Sequence, residues 1–252
     1  MIKTNKPSVL VTGATGLIGG RLAQRLVESG YLVKLLVRNP DKLSPSLCSA
    51  CEIVQGDLAD FTALVSSVRD VSIIYHCAAN VNTWDSWDAY YATNVLGVKN
   101  LLNTIETEGP NLSRLVHLST VDVYGFPADP CDEECDLTGR GFSYGETKLL
   151  GESLVTTLGD SLGIPYTILR PTNVIGPGSQ FISRIGDELK SGIMLKVDGA
   201  RANAGMLYIE NLITYMIWAA ESPRSLGECY NVRDNYDVSW DEFLSRFRAA
   251  IE

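Results

Sequence analysis

The stretch from Val9 to Gly19, Val-Leu-Val-Thr-Gly-Ala-Thr-Gly-Leu-Ile-Gly, constrains the fold more than any other part of the chain. Val9, Leu10 and Val11 form a short apolar run that reads as a strand. Gly13, Gly16 and Gly19 follow at intervals of three, and Leu22, Ala23, Leu26 and Val27 then recur at helical spacing over Arg21 to Ser29, with Gly30 as a stop. Glycines between a strand and a helix allow a turn that a Cβ would forbid, close approach to a phosphate, and tight helix-on-strand packing. The helix N-terminus adds unpaired N–H groups and the positive end of its dipole. The stretch therefore reads as a pyrophosphate turn built by Gly13, Thr15, Gly16, Leu17, Ile18 and Gly19. Its spacing is not the common G-x-G-x-x-G, so the assignment rests on the order strand, turn, helix, and a plain glycine-rich βα turn is the competing reading.

The chain has 252 residues, which fits one large domain or a core with a small appendage. A net charge of −9 argues against binding nucleic acid or an anionic membrane through bulk electrostatics. The polar start, Met1 to Pro7, is not that of a signal peptide, and the longest apolar stretches, near Val71–Ala79 and Leu212–Ala220, fall well short of the ~20 residues of a membrane span. A soluble, cytoplasmic chain is expected. Cys48-x-x-Cys51 and Cys131-x-x-x-Cys135 have spacings that zinc sites use, but the turn glycines and histidines that often flank such sites are missing, so scattered reduced thiols and no metal are expected. His76 and His117 lie in apolar runs and read as satisfied core residues.

Beyond the first helix, strand and helix signals alternate. Strands are predicted at Tyr31–Val37, Glu52–Gln55, Val71–Cys77, Leu115–Ser119 and Pro165–Leu169. Helices are predicted from Asp60, as a cap, to Val68, from Trp87 to Thr107, and from Ser143 to Leu162. This alternation specifies an α/β fold with a doubly wound parallel sheet, whose ligand site lies at the carboxyl ends of the strands. At the end of the second strand an acidic residue would bind the 2′-hydroxyl of NAD. Here Arg38 follows Val37, and a guanidinium suits the 2′-phosphate of NADP, so NADP is favoured, with NAD as the alternative. Asp57 and Leu58 stand where an adenine would be held, and Ala78 and Ala79 are small enough for a cofactor to lie against the backbone. Residues 1–175 are expected to form the dinucleotide-binding core. Residues 176–252 carry a looser pattern (helices near Phe181–Lys190 and Glu210–Ala220, strands near Met206–Ile209 and Cys229–Val232, a final helix from Ser239), expected to be a small substrate-binding lid.

Ser143 opens its helix after an acidic loop, Phe126 to Gly141, and Tyr144 and Lys148 share one face of that helix. With 11 tyrosines in the chain, a Tyr-x-x-x-Lys pair would arise by chance in about one chain in three of this composition, so the pair alone decides nothing. With Thr120 upstream it makes chemical sense. A free tyrosine has a pKa near ~10. An ammonium at ~5 Å and an effective dielectric of ~20 contributes about 3 kcal/mol, roughly two pKa units. Tyr144 is thus expected to be a general acid/base with a lowered pKa, and Thr120 a hydroxyl that orients the reacting oxygen.

Thr12-Gly-Ala-Thr-Gly-Leu-Ile-Gly19, Gly56-Asp-Leu58, His76-Cys-Ala-Ala79, Thr93-Asn-Val-Leu-Gly97, Ser119-Thr-Val-Asp-Val-Tyr-Gly125, Tyr144-x-x-x-Lys148 and Arg170-Pro-Thr-Asn-Val-x-Gly176 resemble, in order, the motifs of the extended short-chain dehydrogenase/reductase family. The resemblance covers nearly the whole chain and implies a Rossmann fold. It makes Thr120, Tyr144 and Lys148 the catalytic set, and Lys148 also a ligand of the nicotinamide ribose. Asn94 joins the cofactor residues, Pro171 and Val174 border the nicotinamide, and Asn173 faces a small-molecule substrate. Hydride would pass between nicotinamide and a carbonyl carbon, with Tyr144 moving the proton. Homodimers through the two long helices near Trp87 and Ser143 are common in such families.

Within the family, 4,6-dehydratases follow the threonine with an Asp-Glu pair. Val121 replaces the first carboxylate here, which argues against dehydration. Nucleotide-sugar epimerases usually place an arginine for the substrate diphosphate where this chain has Ala204, although Arg201 is nearby. Tyr208-Ile-Glu-Asn-Leu212, Gly227-Glu-Cys-Tyr-Asn-Val232 and Ser239-Trp-Asp-Glu-Phe-Leu244 resemble the 3β-hydroxysteroid dehydrogenase and dihydroflavonol reductase branch. That branch implies a secondary alcohol or ketone on a largely apolar substrate, and an NAD-dependent nucleotide-sugar epimerase is the alternative. Members usually run longer than this chain, so either a compact lid or a piece of a longer protein is expected.

Overall fold

The structure, a computed structural model, describes residues 6–251 apart from Thr83, Pro110, Ala128, Asp129, Arg140 and 193–195, so parts of the predicted polar N-terminus and acidic loop lie outside the described residues. Seven parallel strands form one sheet: β1 (Ser8–Thr12), β2 (Leu32–Val37), β3 (Glu52–Gln55), β4 (Ile73–His76), β5 (Arg114–Leu118), β6 (Tyr166–Pro171) and β9 (Cys229–Val232). Their order is β3-β2-β1-β4-β5-β6-β9, so the order reverses between β1 and β4, the switch point where open α/β sheets bind ligands.

Alternate residues of the central strands feed two cores. On one face Val9, Val11, Tyr75, Val116 and Leu169 pack under α1 (Leu17–Glu28), α2 (Pro45–Ala50) and α8 (Ile209–Glu221). On the other, Leu10, Ile74, Leu115 and Ile168 pack under α3 (Phe61–Val68), α5 (Gly97–Glu108) and α6 (Ser143–Leu162). Burial on both faces explains why β4 and β5 read as continuous apolar runs in the sequence. Asp60 caps α3 through the amide of Ala63, and Gly163, in the left-handed region, ends α6.

Several elements differ from the sequence reading. Helix α1 begins at Leu17, four residues earlier than predicted, so Gly19 lies in its first turn. The Trp87 helix is α4 (Trp87–Tyr91), a π turn over Ala92–Leu96, and α5. Strand β7 (Asn173–Ile175) was not foreseen and pairs with β8 (Met206–Tyr208) in a separate two-stranded sheet. Nor does packing change at residue 175. Strand β9 completes the main sheet beside β6, and α8 sits in the first core, tied to α1 by Arg21 and Arg25 on Glu210. Among the described residues, α7 (Gln180–Ser191) and α9 (Trp240–Ile251) form a small cluster of their own, around Ile185, Leu189 and Leu244.

The glycine turn is held by close backbone contacts. Gly13 has φ +74°, and a Cβ there would stand 2.8 Å from the amide nitrogen of Ala78. A Cβ at Gly19 would fall on the carbonyl oxygen of Gly13. Gly19→Ala is therefore expected to lower stability by about 1–3 kcal/mol, read as a lower urea midpoint. An unchanged midpoint would contradict the close approach of α1 to the turn.

Candidate active site

The carboxyl ends of β5 and β6 meet the N-terminal half of α6, and those of β1 and β4 lie beside them in the sheet. Thr12, His76 and His117 stand side by side across three strands. The hydroxyl of Thr12 is 2.9 Å from Nδ1 of His76 and accepts the amide of Ala78 at 3.1 Å, which anchors the chain leaving β4 beneath the glycine turn. Both imidazoles are buried and stacked, 5.4 Å between centroids. The expectation that both are satisfied fails: neither ring nitrogen of His117, nor Nε2 of His76, has a hydrogen-bond partner among the described residues. Burial, reinforced by the Lys148 ammonium, pushes His76 down to about 3 and His117 well below its ordinary value, so both rings are neutral near pH 7.

Thr120 immediately follows Ser119 at the end of β5 and is 7% exposed. Its hydroxyl donates to Oδ2 of Asp122 at 2.9 Å and accepts the amide of Asp122 at 3.2 Å, which opens the 3-10 turn Val121–Tyr124. Tyr144 lies in the first turn of α6, its ring against those of Phe142 and Tyr90. Lys148, one turn on and 3% exposed, donates to the carbonyl of Leu118 at 2.7 Å. Its burial lowers its pKa to about 8, against partial support from the Glu152 carboxylate. The expected lowering of Tyr144 is reversed in the protein alone. Burial and the Asp122 carboxylate hold the phenol well above its ordinary value, while Lys148 turns its ammonium to the Leu118 carbonyl.

Another turn along α6 is Glu152, a residue the sequence analysis passed over although it shares the helical face of Tyr144 and Lys148. It is 2% exposed and forms a buried ion pair with Arg170 of β6, 4% exposed, through Nη2 at 2.5 Å and Nε at 3.2 Å. Glu152 also accepts the hydroxyl of Ser119 at 2.5 Å. Nη1 of Arg170 donates to the Tyr124 hydroxyl at 2.6 Å, which donates to Oδ1 of Asn231 at 2.8 Å. Thus α6, β5, the turn after β5, β6 and β9 are tied together around one guanidinium.

The other candidate residues are distributed as follows. Thr15, Gly16, Leu17, Ile18 and Gly19 lie at the N-terminus of α1, where no side chain caps the helix. A groove of about 580 Å³ borders Gly16, Leu17, Arg21, Ser44 and Tyr208; Tyr144 is not among its lining residues. Arg38 is 80% exposed on its side chain, 3.8 Å from Asp57, and Leu58 is buried against Gly97. Ala78 and Ala79 follow β4, and the Ala78 backbone lies against Gly13. Asn94 sits in the π turn, 1% exposed. Its side-chain oxygen accepts from the Asn80 backbone amide at 2.8 Å and its nitrogen donates to the Asn80 carbonyl and Thr147 hydroxyl, each at 3.2 Å, so it clamps the loop after β4 to α6. Pro171 ends β6, Val174 lies in β7, and Asn173 donates to the Ala204 carbonyl at 2.8 Å.

The residues present fit a dinucleotide. Backbone contacts at Gly13 and Gly19 leave no room for a side chain, and the α1 N-terminus carries no side-chain cap. Glycine turn, switch point and the Thr120, Tyr144, Lys148 cluster define a nucleotide-dependent α/β enzyme. Residues 9–232 match the NAD dependent epimerase/dehydratase family, and the chain belongs to that family, within the extended short-chain dehydrogenase/reductases. It is similar to the 2-alkyl-3-oxoalkanoate reductase of Stenotrophomonas maltophilia, 28% identical over 96% of this chain and 75% of the relative. It is likewise similar to the UDP-glucose 4-epimerase of Vibrio cholerae (26% identical over 97% of this chain and 76% of the relative) and to a Mycobacterium tuberculosis 3 beta-hydroxysteroid dehydrogenase/isomerase (29%, over 96% and 69%). Among solved structures, the Bacillus cereus UDP-glucuronic acid 4-epimerase in complex with UDP-glucuronic acid and NAD superposes with a TM-score of 0.84 at 26% identity, over 96% of this chain and 82% of that one. The relatives' names place the chain among NAD(P)-dependent dehydrogenases, reductases and epimerases. No helix of the described residues is long and apolar enough to cross a membrane.

Burial of Lys148 has a measurable consequence. Between about pH 8 and 10.5 the unfolded chain holds this proton more tightly than the folded one, so stability rises with pH there; below pH 8 the full cost of the buried charge is present. Lys148→Met is expected to raise Tm at pH 7, by about 1–3 kcal/mol of stability, with the gain shrinking towards pH 10. A Tm lowered equally at both pH values would contradict the lysine's buried charge.

Proposed function

We propose that the chain is an NADP-dependent oxidoreductase acting on a secondary alcohol or ketone of a largely apolar substrate. The observation that carries this reading is the convergence of Thr120, Tyr144 and Lys148 at the carboxyl end of the parallel sheet, downstream of a glycine turn that admits no side chain. A nicotinamide bound there would exchange hydride with the carbonyl carbon of the substrate. The chain's residues do the rest. Gly13, Gly16, Leu17 and Ile18 receive the pyrophosphate, and Lys148 holds the nicotinamide ribose. Tyr144 gives its proton to the substrate oxygen in reduction, or takes one in oxidation. Pro171 and Val174 border the nicotinamide, Asn173 faces substrate, and Arg38, exposed and only loosely paired with Asp57, is available to a 2′-phosphate.

A nucleotide-sugar epimerase using NAD is the second reading, favoured by the likeness to an epimerase solved with its UDP-sugar. Against it, Ala204 is buried where such enzymes place an arginine, and Arg201 is paired with Asp198 at 2.6 Å on the surface. Titration of the purified protein with NADPH, NADP, NADH and NAD, followed by a screen of ketones and nucleotide sugars, separates the two. Exchangeable NADP(H) and net oxidation of NADPH by a ketone support the first. Tightly retained NAD with no net absorbance change overturns it.

Two variants test the roles. Tyr144→Phe is expected to lower turnover at least about 100-fold with cofactor affinity nearly unchanged. Retained turnover would remove Tyr144 as the acid/base. Arg38→Ala is expected to weaken NADP about tenfold or more, the loss of one charge-assisted contact, with little effect on NAD. Equal weakening of both would make Arg38 a bystander.

A further inference from the structure

Asp122 has no part in the scheme above, yet its carboxylate bonds directly to Thr120, a member of that scheme. It lies on the 3-10 turn after β5, half-buried, and that turn packs on the start of α6: a Cβ at Gly145, next to Tyr144, would stand 2.8 Å from the Asp122 carbonyl oxygen. Its side chain takes the hydroxyl proton of Thr120 at 2.9 Å, while its own amide occupies one Thr120 lone pair at 3.2 Å. A threonine hydroxyl has one proton and two lone pairs. With the proton given to Asp122 and one lone pair filled, Thr120 retains a single free lone pair and faces the Tyr144 hydroxyl only as an acceptor. A phenol can satisfy such an acceptor and a phenolate cannot.

We propose that Asp122 is a positioning residue: by taking the Thr120 proton it makes Thr120 an acceptor towards Tyr144, keeps that phenol in its proton-bearing form, and sets the site for carbonyl reduction. In that direction the Tyr144 proton passes to the substrate oxygen as the carbonyl carbon gains hydride from the reduced nicotinamide, and the phenolate left behind recovers a proton from solvent. The direction of the Tyr144 shift agrees: burial raises it most and the Asp122 charge adds to it, while the hydrogen bond with Thr120 opposes both without reversing them. The groups facing Tyr144 are Asp122 and Thr120 from the turn, Tyr90 from α4 and the ring of Phe142, while Lys148 on its own helix turns its ammonium to the Leu118 carbonyl; Asp122 is the acidic group acting on the phenol. The inference rests on the alcohol–ketone reading for its direction, but not for the hydrogen-bond chain.

The test is Asp122→Asn, which keeps the shape and removes the charge. With NADPH and a ketone turned over in the screen, the alkaline limb of the reductase pH profile is expected to move down by about one pH unit. The rate at the wild-type midpoint then falls about tenfold relative to pH 7, while the KM for NADPH stays put. A profile scaled down uniformly, with its limb unmoved, would overturn the proposal, because a purely structural role predicts that. A second measurement needs no substrate. Tyrosinate absorbance is titrated in the wild type and in Asp122→Asn, each minus its Tyr144→Phe counterpart to isolate Tyr144. The isolated transition is expected at lower pH in Asp122→Asn, and coincident transitions overturn the proposal. A downward shift in a protein that reduces no carbonyl would defeat the alcohol–ketone reading and leave the assignment of Asp122 standing.

Discussion

The site depends on how α6 is held. Tyr144, Lys148 and Glu152 repeat every four residues, so one face of the helix carries a phenol, an ammonium and a carboxylate into the interior. Desolvation makes each costly, and the cost is offset only by close partners: the Leu118 carbonyl for Lys148, and Arg170 with Ser119 for Glu152. Those partners lie on β5 and β6, so satisfying the charges fixes the helix against the strand ends. Removing one member would strand the other in the core, which is why such a pair specifies geometry more than it adds stability. The Arg170 guanidinium extends the restraint through Tyr124 to Asn231 on the edge strand β9.

The same arrangement sets the protonation states. Burial holds Tyr144 as a phenol, keeps His76 and His117 neutral and brings Lys148 to about 8, so near neutral pH the charges gathered at the site are the Lys148 ammonium, the paired Glu152 and Arg170, and the Asp122 carboxylate bonded to Thr120. Charge developing on a substrate oxygen would be met there by fixed dipoles. The π turn serves the same precision at the other edge. It places Asn94 where its amide ties the loop after β4 to α6, and the Asn94 carbonyl meets the helix at Gly151, where a Cβ would not fit.

Much of this was legible in the sequence because it is local. The glycine turn, the apolar runs of β1, β4 and β5, the Asp60 cap and the limits of α6 follow from residues within a few positions of each other. What was missed is long-range. Nothing near Cys229 says that its strand will pair with β6, some sixty residues earlier, nor near Asn173 that it will pair with Met206. Glu152 looks like an ordinary helical carboxylate until β6 brings Arg170 to it. The misjudged direction of the Tyr144 shift has the same origin: spacing supplied the lysine as a neighbour, but desolvation and the Asp122 charge depend on the turn after β5 folding onto the helix. Asn94 was assigned from motif position alone, and its bonds to Asn80 and Thr147, which tie the loop after β4 to α6, depend on contacts distant in sequence.

The central claim is that a nicotinamide dinucleotide, seated in the groove at the start of α1, extends along the carboxyl ends of the strands to place its reactive end at Tyr144. A crystal structure of the chain with NADP tests it directly. The account predicts pyrophosphate on the amides at the start of α1, ribose hydroxyls within hydrogen-bond reach of Tyr144 and Lys148, and the 2′-phosphate beside Arg38. A nucleotide bound elsewhere, or bound in the groove with its nicotinamide away from Tyr144, would contradict it.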